Sequence, residues 1–598
     1  MCGIAGFTGG KNFTLLNKQL HAIQHRGHDD RTTVYSNGVN FGMNRLAIVD
    51  LTKGLYPMRY KQWILLYNGE IYNYKEIQQK HLSNKIHFKT SCDAEVILPL
   101  YEKYGVRAFS ILEGMFAICI VDTKAKKVIL SRDKVGEKPL YFYHNKSQLV
   151  FGSEIKSVLI HPQVIKKVNT NSFHNYLYQG YSSTDSLISN VSKVLPSECL
   201  EFSLDTHTFH RMQYWKPSYT TSLARFDESV ETLRALIEKS VNLRLVADVP
   251  VGCFLSGGLD SSIISYFAAK TKPNIHTYSV SFPSLEKYDE SQYATAVSSW
   301  LGTQHKTIVC TPNDIQEILS NIGLYIDEPV SDPAFIPTLI MAREARKSVK
   351  VVLTGEGADE LFAGYSRYPK QLLIETIKKS PFITNCFRIA SFLTNHKHFN
   401  NISKTLSERY HTQQIWFPNE INTLCKNSTY SKQPSEYFLI KKLTTLNSML
   451  QTDFRGYLAE QLLMKVDKAT MAANLEARAP YLDSEIMDFA FKLPQQFKLN
   501  RFQNKYILRK VAEEYFPKSF VWRRKHGFSV PLQEWLKSDL REQVYDSVDY
   551  LSSFQTQINI KYYLEKVNNH MQGVEDNTDK IWSMLIFSNW INYHNILL

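Results

Sequence analysis

Eight cysteines are spread through 598 residues, and no two of them form a Cys-x-x-Cys pair. That scatter excludes a disulfide framework and a zinc-ribbon spacing, so a reducing cytoplasm is the expected compartment. Long apolar runs are missing as well. The nearest to a membrane span is the uncharged stretch Ile581 to Leu598, which Ser583, Ser588, Asn589, Asn592, His594 and Asn595 interrupt. A buried or half-buried terminal helix is expected there, with no membrane crossing. No charged-then-apolar leader is read at the start, and no internal repeat or low-complexity tract is found. Charge is not strongly one-sided: 70 basic and 57 acidic residues leave +13. Small phosphate-bearing or acidic molecules would suit that excess as well as nucleic acid or an anionic membrane. The short basic runs His396-Lys397-His398 and Arg523-Arg524-Lys525-His526 read as solvated faces.

The length allows several cores, and 43% hydrophobic with 21% charged residues is ordinary for a globular chain. Up to about Trp215 the pattern is short strands, such as Trp63–Tyr67 and Lys127–Leu130, with a helix through Glu95–Tyr104. Lys216–Ser222 reads as a polar linker. Beyond it, helical periods alternate with apolar strands, which implies α/β units and a parallel sheet. The first such strand, Val249–Leu255, runs into Ser256-Gly257-Gly258-Leu259-Asp260-Ser261-Ser262 and a helix. Glycines at a strand-to-helix turn let backbone N–H groups approach a phosphate, and the helix start adds partial positive charge. The loop does not end in Lys-Ser/Thr, so it is not the type that moves a γ-phosphate. A second strand, Val349–Leu353, ends in Thr354-Gly355-Glu356-Gly357-Ala358-Asp359-Glu360. Ligands bind at the carboxyl ends of strands in open α/β sheets. The three carboxylates there need a cation to offset their repulsion, and Asp260 with Asp359 around Mg²⁺ is the preferred reading.

The chain opens Met1-Cys2-Gly3-Ile4-Ala5-Gly6-Phe7. Removal of Met1 would leave Cys2 with a thiol nucleophile and an α-amine, which can serve as its base. Gln24-His25-Arg26-Gly27, Arg45–Asp50, Tyr67–Asn73 and Cys92-Asp93-Ala94-Glu95 follow in order. Together they resemble the class II glutamine amidotransferase domain. The resemblance gives each residue a task. Asn68 and Gly69 supply oxyanion donors, Arg45 holds the glutamine carboxylate, and Asp93, with Glu70 nearby, takes its ammonium. Two positions depart from the family: His28 replaces proline after His-Arg-Gly, and Tyr56-Pro57 stands where Gln-Pro is usual. Arg132–Tyr141 and Ser153-Glu154-Ile155-Lys156 look like the segments that close this domain, with a mainly structural role.

Ser-Gly-Gly-x-Asp-Ser resembles the loop of N-type ATP pyrophosphatases. An amidotransferase ahead of such a loop is similar to the glutamine-hydrolysing asparagine synthetase family over nearly the whole chain. The implied fold is α/β and multi-domain. An Ntn-hydrolase αββα sandwich covers 1–215, a linker 216–230, and a HUP-like pyrophosphate-loop domain with many helices 231–598. The resemblance implies amidation of aspartate through β-aspartyl-AMP, with ATP and Mg²⁺ as cofactors. It places ATP at Leu255, Ser256, Gly257, Gly258, Asp260, Ser261, Ser262, Val280, Thr354 and Gly355. It makes Lys505 the cation for the pentavalent phosphorus and leaving pyrophosphate, Glu356 an acid/base or orienting group, and Arg478 with Glu356 an aspartate pocket. The expected partners are small molecules, not nucleic acid or membrane, and a homodimer is compatible. Still open as acceptors are a sugar acid or a peptide carboxylate. Residues 369–437 carry no assigned role.

Overall fold

The computed structural model describes residues 2–52, 56–82, 86–219, 225–282, 286–378, 405–426, 428–430, 443–524 and 530–598. His396-Lys397-His398, part of the linker and much of 369–437 lie outside them.

The N-terminal part holds two six-stranded antiparallel sheets. Cys2–Thr8 lies inside the first, between Val39–Arg45 and Leu149–Gly152. Trp63–Ile71 lies inside the second, beside Gly114–Asp122. Alternation sets the layers, because successive strand side chains point to opposite faces. Cys2, Ile4, Ile64 and Leu66 fill one core between the sheets. Ala5 and Phe7 instead meet Leu16 and Leu20 of helix Phe13–Ala22, while Leu65 and Tyr67 meet Ile97, Leu98 and Leu100 of helix Ile97–Tyr104. The result is the αββα sandwich. Cys2 and Asn68 both lie on the even-numbered, inward face of their strands, at the end of the inter-sheet gap.

Arg132–Tyr141 closes this unit through a buried carboxylate. Asp133 accepts N–H groups of Phe116, Val135, Gly136, Glu137 and Lys138 at 2.6–3.2 Å. Burial, then the neighbouring Asp133 charge, pushes the Glu137 carboxyl up to about 8. The unfolded group titrates near ~4.3, so between these values the native state holds a proton that the unfolded state has released. Stability therefore falls as pH rises through that window. Glu137→Gln cannot ionise, so its melting temperature should gain on the wild type between pH 5 and pH 8. A gap that stays constant or shrinks in thermal scans would contradict this.

The second part is built on a five-stranded sheet, parallel throughout: Gln304–Val309, His276–Ser281, Val251–Phe254, Val351–Leu353 and Glu476–Arg478, in that spatial order. The chain builds outward from Val251–Phe254 to one side, then returns to add the other two strands. The switch point falls between Val251–Phe254 and Val351–Leu353, where an open sheet binds ligands. Helix Phe226–Arg244 already covers the last residues of the stretch read as a linker.

The two parts share buried contacts. Ile581, Leu585, Phe587 and Trp590 of the terminal helix Thr578–His594 are buried in a core with Phe173 and Tyr176 of helix Thr170–Gln179. Phe173 stacks on Phe587 at 4.3 Å, and Tyr176 donates to the Ser583 carbonyl at 2.7 Å. No helix among the described residues is long and apolar enough to cross a membrane. Arg26, fully buried, donates to Glu154 at 2.7 Å and to both oxygens of Asp467 at 2.8 and 3.1 Å. Lys468 adds ion pairs to Glu154 and Asp327.

Candidate functional site

At the end of the sandwich gap, the Cys2 backbone nitrogen donates to Asn68 Oδ1 at 2.9 Å. Asn68 is fully buried, and its Nδ2 has no hydrogen-bond partner among the described residues. A buried amide donor without a partner is costly, and an oxyanion beside Cys2 is a ligand that would satisfy it. Gly69 follows on the same strand, where a Cβ would sit 2.0 Å from the Met115 carbonyl oxygen. Burial pushes the Cys2 thiol up, so forming a thiolate there requires a base.

Arg45, Gly69, Glu70 and Asp93 line one narrow cleft with Cys2 and Tyr56. Arg45 Nη2 donates to the Asp50 carbonyl at 2.7 Å, which fixes the guanidinium. Asp93 Oδ2 accepts from Tyr67 Oη at 2.8 Å and from the Ile71 N–H at 2.7 Å. Burial raises both Asp93 and Glu70, and in Glu70 the nearby Asp93 charge adds to it. Tyr56, where the family favours glutamine, contributes its ring to the cleft and its hydroxyl to Cys92 Sγ at 3.7 Å.

The switch point of the parallel sheet opens a cavity of about 360 Å³. Leu255, Ser256, Gly258, Asp260, Ser261, Val280, Thr354, Gly355, Glu356 and Asp359 all line it. Ser256 and Ser261 hydroxyls meet at 3.1 Å. Two expected members do not line the cavity. The Ser262 hydroxyl turns back onto the Gly258 carbonyl at 2.8 Å. Gly257, at φ +72°, leaves no room for a Cβ, which would meet Ala294 N at 2.6 Å. Its carbonyl accepts from Arg523 at 2.8 Å. Arg523 also pairs with Glu290 at 3.4 Å, so the described part of the basic run 523–526 braces the loop and is not simply a solvated face.

Lys505 Nζ sits 2.5 Å from Asp260 Oδ2 and 2.6 Å from Asp359 Oδ1, bridging the two carboxylates expected to flank a metal. It occupies the left-handed region at φ +55°, an unusual conformation for a non-glycine residue and one that clusters at functional sites. Gly364 makes this approach possible, since a Cβ there would lie 1.6 Å from Asp359 Oδ1 and 2.2 Å from Lys505 Cε. Gly364→Ala should displace both groups and lower ATP-dependent turnover on the order of 10²-fold, with glutaminase activity kept. Equal loss of both activities would indicate general misfolding instead.

Arg478, expected with Glu356 in an aspartate pocket, is not among the described residues that line the switch-point cavity. Its guanidinium is fully buried and donates to Glu476 at 2.7 Å and to the carbonyls of Arg244 and Val246 at 2.8 and 2.7 Å. It lies 3.4 Å from Glu70 of the amidotransferase cleft. Glu476 and Arg478 share one face of their strand, opposite Ala477, which packs into a separate apolar core. Lys465 and Asp332, which the sequence reading did not select, line the 360 Å³ cavity instead. The seven described cysteines are all unpaired.

An αββα sandwich with Cys2 on an inner strand, joined to a parallel-sheet domain with glycine-rich loops at its switch point, defines a two-site amidotransferase–synthase architecture. The comparisons agree on both halves. "Glutamine amidotransferase domain" matches residues 1–215, and "Asparagine synthase" matches 232–592. Glutamine-hydrolyzing asparagine synthetase 1 of Bacillus subtilis (strain 168) is 33% identical, covering 96% of this chain and 93% of its own. The putative enzyme of that name from Mycobacterium tuberculosis (strain ATCC 25618 / H37Rv) is 31% identical, covering 98% and 95%. Asparagine synthetase B of Escherichia coli (strain K12) is 28% identical, covering 85% and 77%. The chain belongs to the glutamine-hydrolysing asparagine synthetase family.

Proposed function

We propose that this enzyme amidates L-aspartate to L-asparagine with ammonia from glutamine, through β-aspartyl-AMP, yielding AMP, pyrophosphate and glutamate. The observation that carries this reading is the meeting of Ser256–Ser261 and Thr354–Asp359 over one cavity at the switch point, with Cys2 and Asn68 poised in the other domain.

Cys2 attacks the glutamine amide carbon, its α-amine (free once Met1 is removed) taking the thiol proton and passing it to the nitrogen. The C–N bond then breaks and ammonia leaves, and water hydrolyses the Cys2 thioester to release glutamate. Asn68 Nδ2 and the Gly69 N–H bear the oxyanion. Arg45 and Asp93 hold the two charged ends of the substrate. In the other domain the aspartate β-carboxylate attacks the α-phosphorus of ATP, and pyrophosphate departs. Lys505 offsets charge on the phosphorus and the leaving group. Ammonia then attacks the acyl carbon, AMP leaves, and Glu356 takes the proton that nitrogen sheds. A sealed path between the sites would keep ammonia from becoming unreactive ammonium. Asp260 Oδ1 is buried with no hydrogen-bond partner among the described residues, which suits a cation ligand. Asp260 and Asp359 would hold Mg²⁺, which bound there supplies charge to the phosphate oxygens. The test offers ATP, Mg²⁺ and glutamine with a panel of carboxylates. AMP formation that depends on aspartate supports the reading, and AMP formation only with a sugar acid or peptide moves the enzyme to another acceptor.

A further inference from the structure

Asp332 Oδ2 and Lys465 Nζ pair at 2.9 Å, and both side chains line the 360 Å³ cavity alongside Glu356. They reach it from separate elements, 133 residues apart in sequence. Asp332 lies in the turn before helix Phe335–Ala345, where its Oδ1 accepts the Ala334 N–H at 3.0 Å. Lys465 is the third residue of helix Leu463–Ala472, which directly follows the π-helical stretch Asp453–Leu462. Such stretches are rare and frequent at functional sites, and this one sends Tyr457 and Leu462 to the same cavity wall. Burial works against the Lys465 charge, but Asp332 and then Glu356 outweigh it and raise its pKa. The ammonium is held charged at the wall of a cavity.

Two buried opposite charges are a poor way to gain stability, because their desolvation rivals their attraction. At a cavity wall they are a suitable template for a zwitterion. An amino acid can insert its α-ammonium against Asp332 and its α-carboxylate against Lys465, so every charge keeps a partner. We infer that Asp332 and Lys465 form an α-amino-acid subsite that selects the acceptor by its two backbone charges and leaves its side-chain carboxylate facing the Ser256–Ser261 loop. This rests on the proposed adenylation reaction, and it replaces Arg478 as the source of acceptor recognition.

The test deletes charges on both sides of each contact. Ammonium-supported pyrophosphate release is measured in the full-length enzyme with aspartate, with succinate (no ammonium) and with β-alanine (no α-carboxylate). In the wild type, aspartate should exceed both analogues. Lys465→Met should raise the KM for aspartate roughly 10- to 100-fold and abolish the preference over β-alanine, while the preference over succinate persists. Asp332→Asn should do the reverse. Lys465→Arg, which keeps the charge, should restore most of the β-alanine discrimination and covers the case in which the methionine variant misfolds. In each variant the ATP KM should stay within about twofold and glutaminase activity should be unchanged. Both preferences falling together, or neither changing, would overturn the subsite while leaving the adenylation reading intact. No aspartate-dependent release by the wild type would overturn both.

Discussion

Cys2→Ala should abolish glutamine-dependent synthesis and glutaminase activity, with a loss on the order of 10⁴-fold or more, yet still make product from ammonium salts. The cause is spatial. Cys2 contacts Asn68 at the end of the sandwich gap, whereas the nucleotide-type loops surround a separate cavity whose lining among the described residues all lies beyond the N-terminal part. Alanine at the inward position of a buried strand loses little packing, so the fold should persist. An N-terminal extension that blocks the Cys2 amine should mimic the variant, because the thiol then lacks its base while burial still pushes its pKa up. Loss of ammonium-supported synthesis in a folded Cys2→Ala enzyme would contradict the division of labour, and so would full glutaminase activity in the extended enzyme.

Lys505→Ala should lower the turnover of ATP-dependent synthesis by about 10²–10³-fold, the scale of losing one preorganised electrostatic contact to a transition state. It should affect the ATP KM far less. Lys505 is buried between Asp260 and Asp359, so its removal also leaves two close carboxylates without their shared cation. Lys505→Arg should not rescue, since a planar guanidinium cannot reproduce the compact ammonium that reaches Asp260 and Asp359 together. Glutaminase activity should be untouched, and steady-state pyrophosphate release separates kcat from KM. An unchanged kcat would remove Lys505 from the chemistry.

Loops were legible in the sequence because their signals are local. Ser256–Ser262 and Thr354–Asp359 each combine an apolar β run with glycines at its end, and that pattern alone places them at strand termini. The amidotransferase cleft was legible for a different reason, since its residues lie on short stretches in a recognisable order. What stayed hidden depends on which way a side chain faces across long separations. Arg478 sits in a stretch resembling the synthetase family, but period 2 on a three-residue strand turns it with Glu476 toward Glu70. Asp332 and Lys465 meet only because a turn and a π-helical stretch converge on one cavity. Arg26 and Asp467, 441 residues apart, join buried surfaces that composition alone cannot pair.

The most direct test follows every product of one reaction by ³¹P and ¹⁵N spectra, starting from amide-labelled glutamine, aspartate and ATP. AMP and pyrophosphate should appear in equal amounts with asparagine carrying the ¹⁵N amide and with unlabelled glutamate. ADP with inorganic phosphate, or AMP without label in asparagine, would contradict an adenylating synthetase fed by the Cys2 site.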